Sequence, residues 1–194
     1  MTADVTPHVP QEPLRVTVER YLALLEEGTL AGDRLELLEG VIVSMPPSNP
    51  PHAAALGLVC EALRPIAGTG RCLRVQSPLL LGAWSAPEPD VALVAGSHRD
   101  YSLRHPATAL LVIEVSDWSL HQDRITKAAI YARAGIPEYW IVNLAERGVE
   151  VLREPDAAGG RYRAQRFARA DESVEPLAAP GTPVVVRDLL PALR

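Results

Sequence analysis

Residues 109–116 read ALLVIEVS, and residues 89–95 read PDVALVA. Period-2 alternation puts Leu110, Val112, Glu114 and Ser116 on one face of the first run, and Ala109, Leu111, Ile113 and Val115 on the other. Both faces are apolar, which predicts a buried central strand with one carboxylate, Glu114, set into it. An ionised carboxylate in such a place is costly unless it is paired, hydrogen-bonded or bound to metal. Asp90 opens an equally apolar run behind Pro89. Two adjacent strands could therefore present one acid each at the same edge. A hard cation such as Mg²⁺ takes one or two carboxylates, waters and substrate phosphate. Taken singly, Asp90 reads rather as a turn cap or an arginine partner, and Glu114 stands open between the two readings.

Downstream, Ser119 with Gln122 three residues on resembles a capping box, and LHQDRITKAAIYARA (120–134) reads as a helix stopping at Gly135. Asp123, Lys127 and Tyr131 share one face of it, while Ile125, Ala128, Ala129 and Ala132 form the packing stripe. On that reading Asp123–Lys127 is a surface ion pair worth roughly 0.3–0.5 kcal/mol. A functional reading needs Lys127 to lean over the strand edge towards Asp90 and Glu114. There it could orient a water and neutralise a phosphate oxygen. EYWIVNL (138–144), GVEVLRE (148–154), YRAQRFA (162–168) and TPVVV (182–186) read as strands, with a turn of helix in the last residues. Tyr139 and Trp140 read as core or subunit contacts.

Upstream, Thr17 looks like an N-cap for VERYLALLEE (18–27), with Gly28 as the stop. RLELLEGVIVSM (34–45) reads as a hairpin pivoting on Glu39-Gly40. Pro51 suits the first turn of a helix over 52–68. CLRVQSPLLL (72–81) is a further strand, on which Gln76 has only a weak claim to face a site. His52 at a helix start reads first as a cap or packing residue. His98, His105 and His121 read as exposed. The whole is a mixed α/β domain. Residues 1–15, with Pro7, Pro10 and Pro13, form a flexible arm, and 16–194 form a single domain.

The 194 residues are 47% hydrophobic, which suits one full core and is short for two. No apolar run is long enough to span a bilayer, and the opening MTADVTPHVPQEP lacks the pattern of a secretory leader. Cys60 and Cys72 read as buried thiols in a reducing cytoplasm. The net charge of -5 counts against tight non-specific DNA binding, which relies on a basic excess. It does not exclude a nuclease, whose active site is itself acidic. The arginines at 64, 71 and 74, and those at 161, 163, 166 and 169, read as solvated faces.

PDVALV (89–94) and VIEVSDWSLHQDRITKAAIYARAGIPEYWIVNL (112–144) resemble the Uma-two family of restriction-endonuclease-like proteins, a branch of the PD-(D/E)XK superfamily. RLELLEGVIVSMPPSNPPH (34–52) is similar to that family's N-terminal signature of a Glu-Gly turn, a Ser/Pro loop and a His. The resemblance covers roughly residues 17 to 153. It implies a restriction-endonuclease-like mixed sheet flanked by helices, with extra strands at both ends. It implies Asp90, Glu114 and Lys127 as the catalytic set, and Glu39 and His52 as residues lining the site. Asp90, Glu114 and the carbonyl of Val115 would hold Mg²⁺ or Mn²⁺. The superfamily commonly places a lysine two residues after the Glu; here that position is Ser116, and the helix lysine Lys127 is the match. Asn143 stands where the family often has Asp. The implied activity is phosphodiester hydrolysis, with DNA as substrate, by a cytoplasmic homodimer that does not engage membranes. The alternative is a catalytically silent interaction or nucleic-acid-binding subunit on the same scaffold.

Overall fold

A computed structural model describes residues 14–30, 34–68 and 70–192. The expected flexible arm lies almost wholly outside them. Helix α1 (Val18–Glu26) is capped by Thr17, whose hydroxyl accepts from the amide of Arg20. Strands β1 (Leu35–Leu38) and β2 (Val41–Ser44) form the expected hairpin. Its two turn residues, Glu39 and Gly40, both have positive φ, as a tight hairpin turn requires. Helix α2 (Pro50–Leu63) begins at the N-cap Asn49, with prolines in its first turn.

A six-stranded sheet carries the rest. It is built from β3 (Arg71–Val75), β4 (Val91–Ala95), β5 (Leu111–Ser116), β6 (Glu138–Asn143), β7 (Gly148–Asp156) and β8 (Arg161–Arg169), in that spatial order. Only β5 and β6 run parallel; the other neighbours are antiparallel. The parallel pair needs a crossover, supplied by α3 (Leu120–Gln122), a π-helical turn at Asp123–Lys127, and α4 (Ala128–Arg133). Gly135, at positive φ, ends that helix as expected. Two short strands, β9 (Ser173–Val174) and β10 (Val184–Val185), pair near the C-terminal end, and a 3₁₀ turn follows at Val186–Leu189. The fold is thus mixed α/β, with a central mixed sheet flanked by helices and extra strands.

The alternation read from ALLVIEVS sorts the two faces of the sheet. Leu111, Ile113 and Val115 pack towards Ala55, Val59 and Leu63 of α2. Val112, with Ala92 and Ile141, packs towards Tyr131 and Ala132 of α4. Glu114 and Ser116 share this second face.

Four local expectations need correction. CLRVQSPLLL is not one strand: pairing stops at Val75, and Gln76 turns out of the ladder at positive φ, its amide donating to the Asp90 carbonyl. TPVVV is strand only at Val184–Val185. Ser119 makes no cap hydrogen bond, because its backbone is already helical and its hydroxyl donates to Asp123 instead. Ile125, expected in the packing stripe, is exposed, while Asp123, Lys127 and Tyr131 are buried. A π turn holds one residue more than an α turn, which rotates the buried face.

Candidate active site

Asp90 stands one residue before β4, and the antiparallel register Val91↔Ile113 brings it beside Glu114. Both side chains lie on the face covered by α3 and α4. The amide of Asp90 donates to Glu114 Oε2 (3.3 Å), and the amide of Val115 donates to Asp90 Oδ2 (2.8 Å). Each acid is thus tied to the other's strand by a backbone donor.

Lys127 comes down onto them from the π turn. Its Nζ donates to Glu114 Oε1 at 3.0 Å and lies 3.2 Å from Glu36 Oε2. Tyr131, one turn further, donates its hydroxyl to the same Glu114 Oε1 at 2.7 Å. The turn is pinned from the sheet: the Asp123 carbonyl accepts from the Ala128 amide and from the Tyr139 hydroxyl. Lys127 is therefore not in a surface ion pair: its side chain is only 6% exposed. His52, near the start of α2, hydrogen-bonds Asp90 Oδ1 through Nε2 (3.1 Å), and Gln76 Nε2 reaches the same oxygen (3.3 Å). Glu36, His52, Gln76, Asp90, Glu114 and Lys127 line one cleft, together with Asp123 and the exposed Trp118.

The electrostatics are unbalanced. Glu36, Asp90, Glu114 and Asp123 are buried carboxyls facing one ammonium, Lys127, and one imidazole, His52; the Arg34 guanidinium at the cleft wall pairs instead with Glu88. Burial alone would discharge Lys127, but Glu114, Glu36 and Asp123 hold it charged, well above its ordinary value. One cation cannot serve every acid, and the deficit falls on Glu114. Burial pushes its carboxyl up to about 8; Lys127 opposes this, while Asp90, Asp123 and Glu36 add to it. Burial likewise raises Asp123, against Lys127 and two serine hydroxyls. Asp90 goes the other way. Burial again opposes its ionisation, but His52, the Val115 amide and Gln76 outweigh it and keep the carboxyl below its usual range. The same hydrogen bond raises His52. Two adjacent acids pushed in opposite directions are a common mark of a reacting site.

The family model Uma2, described as "Putative restriction endonuclease", matches residues 18–186. The chain belongs to the Uma2 family. Among solved structures, the chain is similar to "a putative nuclease belonging to DUF820" from Anabaena variabilis ATCC 29413, at 17% identity and a TM-score of 0.66. That likeness covers 90% of this chain and 97% of the other, and it concerns the fold. No curated protein matches the chain.

Of the residues singled out in this Uma2 chain, Asp90, Glu114, Lys127, Val115 and His52 line the cleft. Glu39 does not. It occupies the hairpin turn, half exposed, and pairs with Arg133 on a different part of the surface. The N-terminal acid that reaches the site is Glu36, on β1. The signal was present: in LELL, Glu36 interrupts a buried apolar strand as Glu114 does, whereas Glu39 belongs to a turn. An ideal α-helical period leaves Asp123 on the surface, whereas the π turn carries it into the cleft. Among the described residues, no group of three His, Cys, Asp or Glu side chains is arranged as a ready metal cage. The donors that are present, two adjoining carboxylates within an acidic excess, nevertheless fit a hard divalent ion that completes its shell with water.

Proposed function

We propose that this Uma2 chain is a metal-dependent endonuclease that hydrolyses phosphodiester bonds in DNA, with residues 16–194 acting as a single domain. The observation that carries the reading is the meeting of Asp90, Glu114 and Lys127 in a cleft where buried acids outnumber cations. The family description and the fold likeness support a nuclease.

In this reading Asp90, Glu114 and the Val115 carbonyl hold Mg²⁺ or Mn²⁺. When bound, such an ion lowers the pKa of water and offsets charge on the phosphate. Lys127, kept charged by its carboxylates, orients the attacking water and stabilises charge on the non-bridging oxygens. His52 and Gln76 fix the Asp90 carboxylate, and Tyr131 fixes that of Glu114. The same reading takes the chain as a cytoplasmic homodimer, since two sites related by a two-fold axis suit both strands of a duplex. Sedimentation at micromolar concentration tests this, and a monomer contradicts it. No helix among the described residues is long and apolar enough to cross a membrane.

One observation favours the second reading, a catalytically silent subunit. Every carboxylate oxygen of Asp90 and Glu114 already accepts a protein donor. Incubation of wild type and Asp90→Asn with duplex DNA, single-stranded DNA and RNA, with Mg²⁺, Mn²⁺ or a chelator, separates the two. Cleavage that needs both the ion and Asp90 is expected. Persistent absence of cleavage alongside retained nucleic-acid binding would favour the silent subunit.

A further inference from the structure

Trp118 is 71% exposed, yet it lines the same cleft as Asp90, Glu114 and Lys127. It sits in the short link between β5 and α3, four residues after Glu114. Both of its neighbours are anchored. Asp117 Oδ2 accepts from Asn49 Nδ2 (2.8 Å), and Ser119 donates to Asp123 Oδ2 (2.6 Å). The strap that carries the indole is therefore fastened on both sides of it. Trp140 shows the contrast: it is fully buried, and its indole N–H donates to Glu138. The exposed Pro46 and Pro47 line the same cleft and add apolar rim.

The charges make this rim informative. A nucleic acid approaching the cleft meets an acidic interior, and Arg34 at its wall is paired with Glu88. Phosphate attraction there is weak. An aromatic face offers binding that needs no charge, because every base has a π surface to stack. A base inside a duplex is already stacked on both sides. Only a single strand, a frayed end or an extruded nucleotide offers a free face.

We infer that the substrate enters this cleft with an unstacked nucleobase lying on the indole of Trp118, beside the phosphate to be cut. This rests on the nuclease reading and narrows its substrate to nucleic acid that is single-stranded or locally opened. The base could belong to DNA or RNA, since stacking uses chemistry common to both.

The test is binding, measured without divalent ions by anisotropy of labelled oligonucleotides of about ten nucleotides. The arms are single-stranded thymidine DNA, single-stranded uridine RNA, and a duplex closed at both ends by non-nucleotide linkers, which leaves no unpaired base. Wild type should prefer single strands. Trp118→Ala should weaken single-strand binding about tenfold, and Trp118→Phe should keep affinity within about threefold, in line with the usual strength of base–aromatic stacking. Closed-duplex binding should not change. Equal loss for DNA and RNA assigns the effect to the base; loss for one alone assigns the natural substrate. Unchanged single-strand affinity in Trp118→Ala, or wild type binding no oligonucleotide, overturns the inference. Cleavage with Mn²⁺ distinguishes the two levels. If wild type cleaves and Trp118→Ala binds and cleaves equally well, stacking falls and the nuclease stands. If Trp118 governs binding but no divalent ion supports cleavage, stacking stands and the nuclease falls.

Discussion

Glu114 and Glu138 are both buried carboxylates on the neighbouring strands β5 and β6, yet their surroundings are opposite. Glu138 has a guanidinium to itself. Its Oε1 accepts from Arg153 Nε (2.8 Å) and Nη2 (2.6 Å) and from Trp140 Nε1 (2.9 Å), and its Oε2 accepts from the Leu177 amide (2.7 Å). Glu114 shares Lys127 with Glu36. A buried charge alone therefore does not mark a site. What distinguishes the two is the balance of acids and bases around them: matched at Glu138, which staples the sheet to the C-terminal segment, and short of cation at Glu114.

The largest stability effect should come from the matched acid. Glu138→Ala orphans Arg153 and should cost about 3 kcal/mol, a fall of roughly 6–12 °C in melting temperature. The lower end of the range for broken buried pairs is used because Arg153 is one-third exposed. Thermal unfolding checks this, and a shift of under a degree would remove the contrast. Lys127→Met comes next. It keeps the stem but leaves Glu36 and Glu114 buried without their cation, and should cost at most about 3 kcal/mol at pH 8, the low end for a broken buried pair, because Glu114 is only partly ionised there. The loss should shrink towards pH 5, where Glu114 holds a proton. A pH-independent loss would mean that packing, not charge, is at stake.

Glu114→Gln should do least. Lys127 keeps Glu36, and the neutral amide can still accept from Tyr131, so stability without metal should stay within about 1 kcal/mol of wild type or rise. Native Glu114 titrates near 8, above the ordinary 4.5, so the folded state holds a proton that the unfolded state has lost between those values. Wild type should therefore lose stability relative to Glu114→Gln as pH rises from about 5 to about 8, then level off. Paired urea titrations across that window test the sign. A wild type that gains on the variant as pH rises would place Glu114 in a matched pair, like Glu138.

Much of this was legible in the chain. Alternation in ALLVIEVS identified the central strand and the face that carries Glu114, and the helix lysine was the one that arrives. The misses have physical causes. Glu36 and Glu39 lie three residues apart in one hairpin, and only the strand-versus-turn assignment separates them. The π turn re-aims Asp123 and Lys127, and an ideal helical period cannot reveal it. The Glu138–Arg153 pair depends on the β6–β7 register, which places them directly opposite each other.

On the proposed reading, a divalent ion supplies the positive charge that Glu114 lacks. Calorimetric titration of Mn²⁺ into wild type and Glu114→Gln, in buffers of different ionisation enthalpy, tests it most directly. Wild type should bind the ion, more tightly as pH approaches 8, and release a proton in doing so, while Glu114→Gln should bind weakly and release none. Equal Mn²⁺ affinity in the two proteins, or no binding by wild type at millimolar ion, would mean that Glu114 holds no metal.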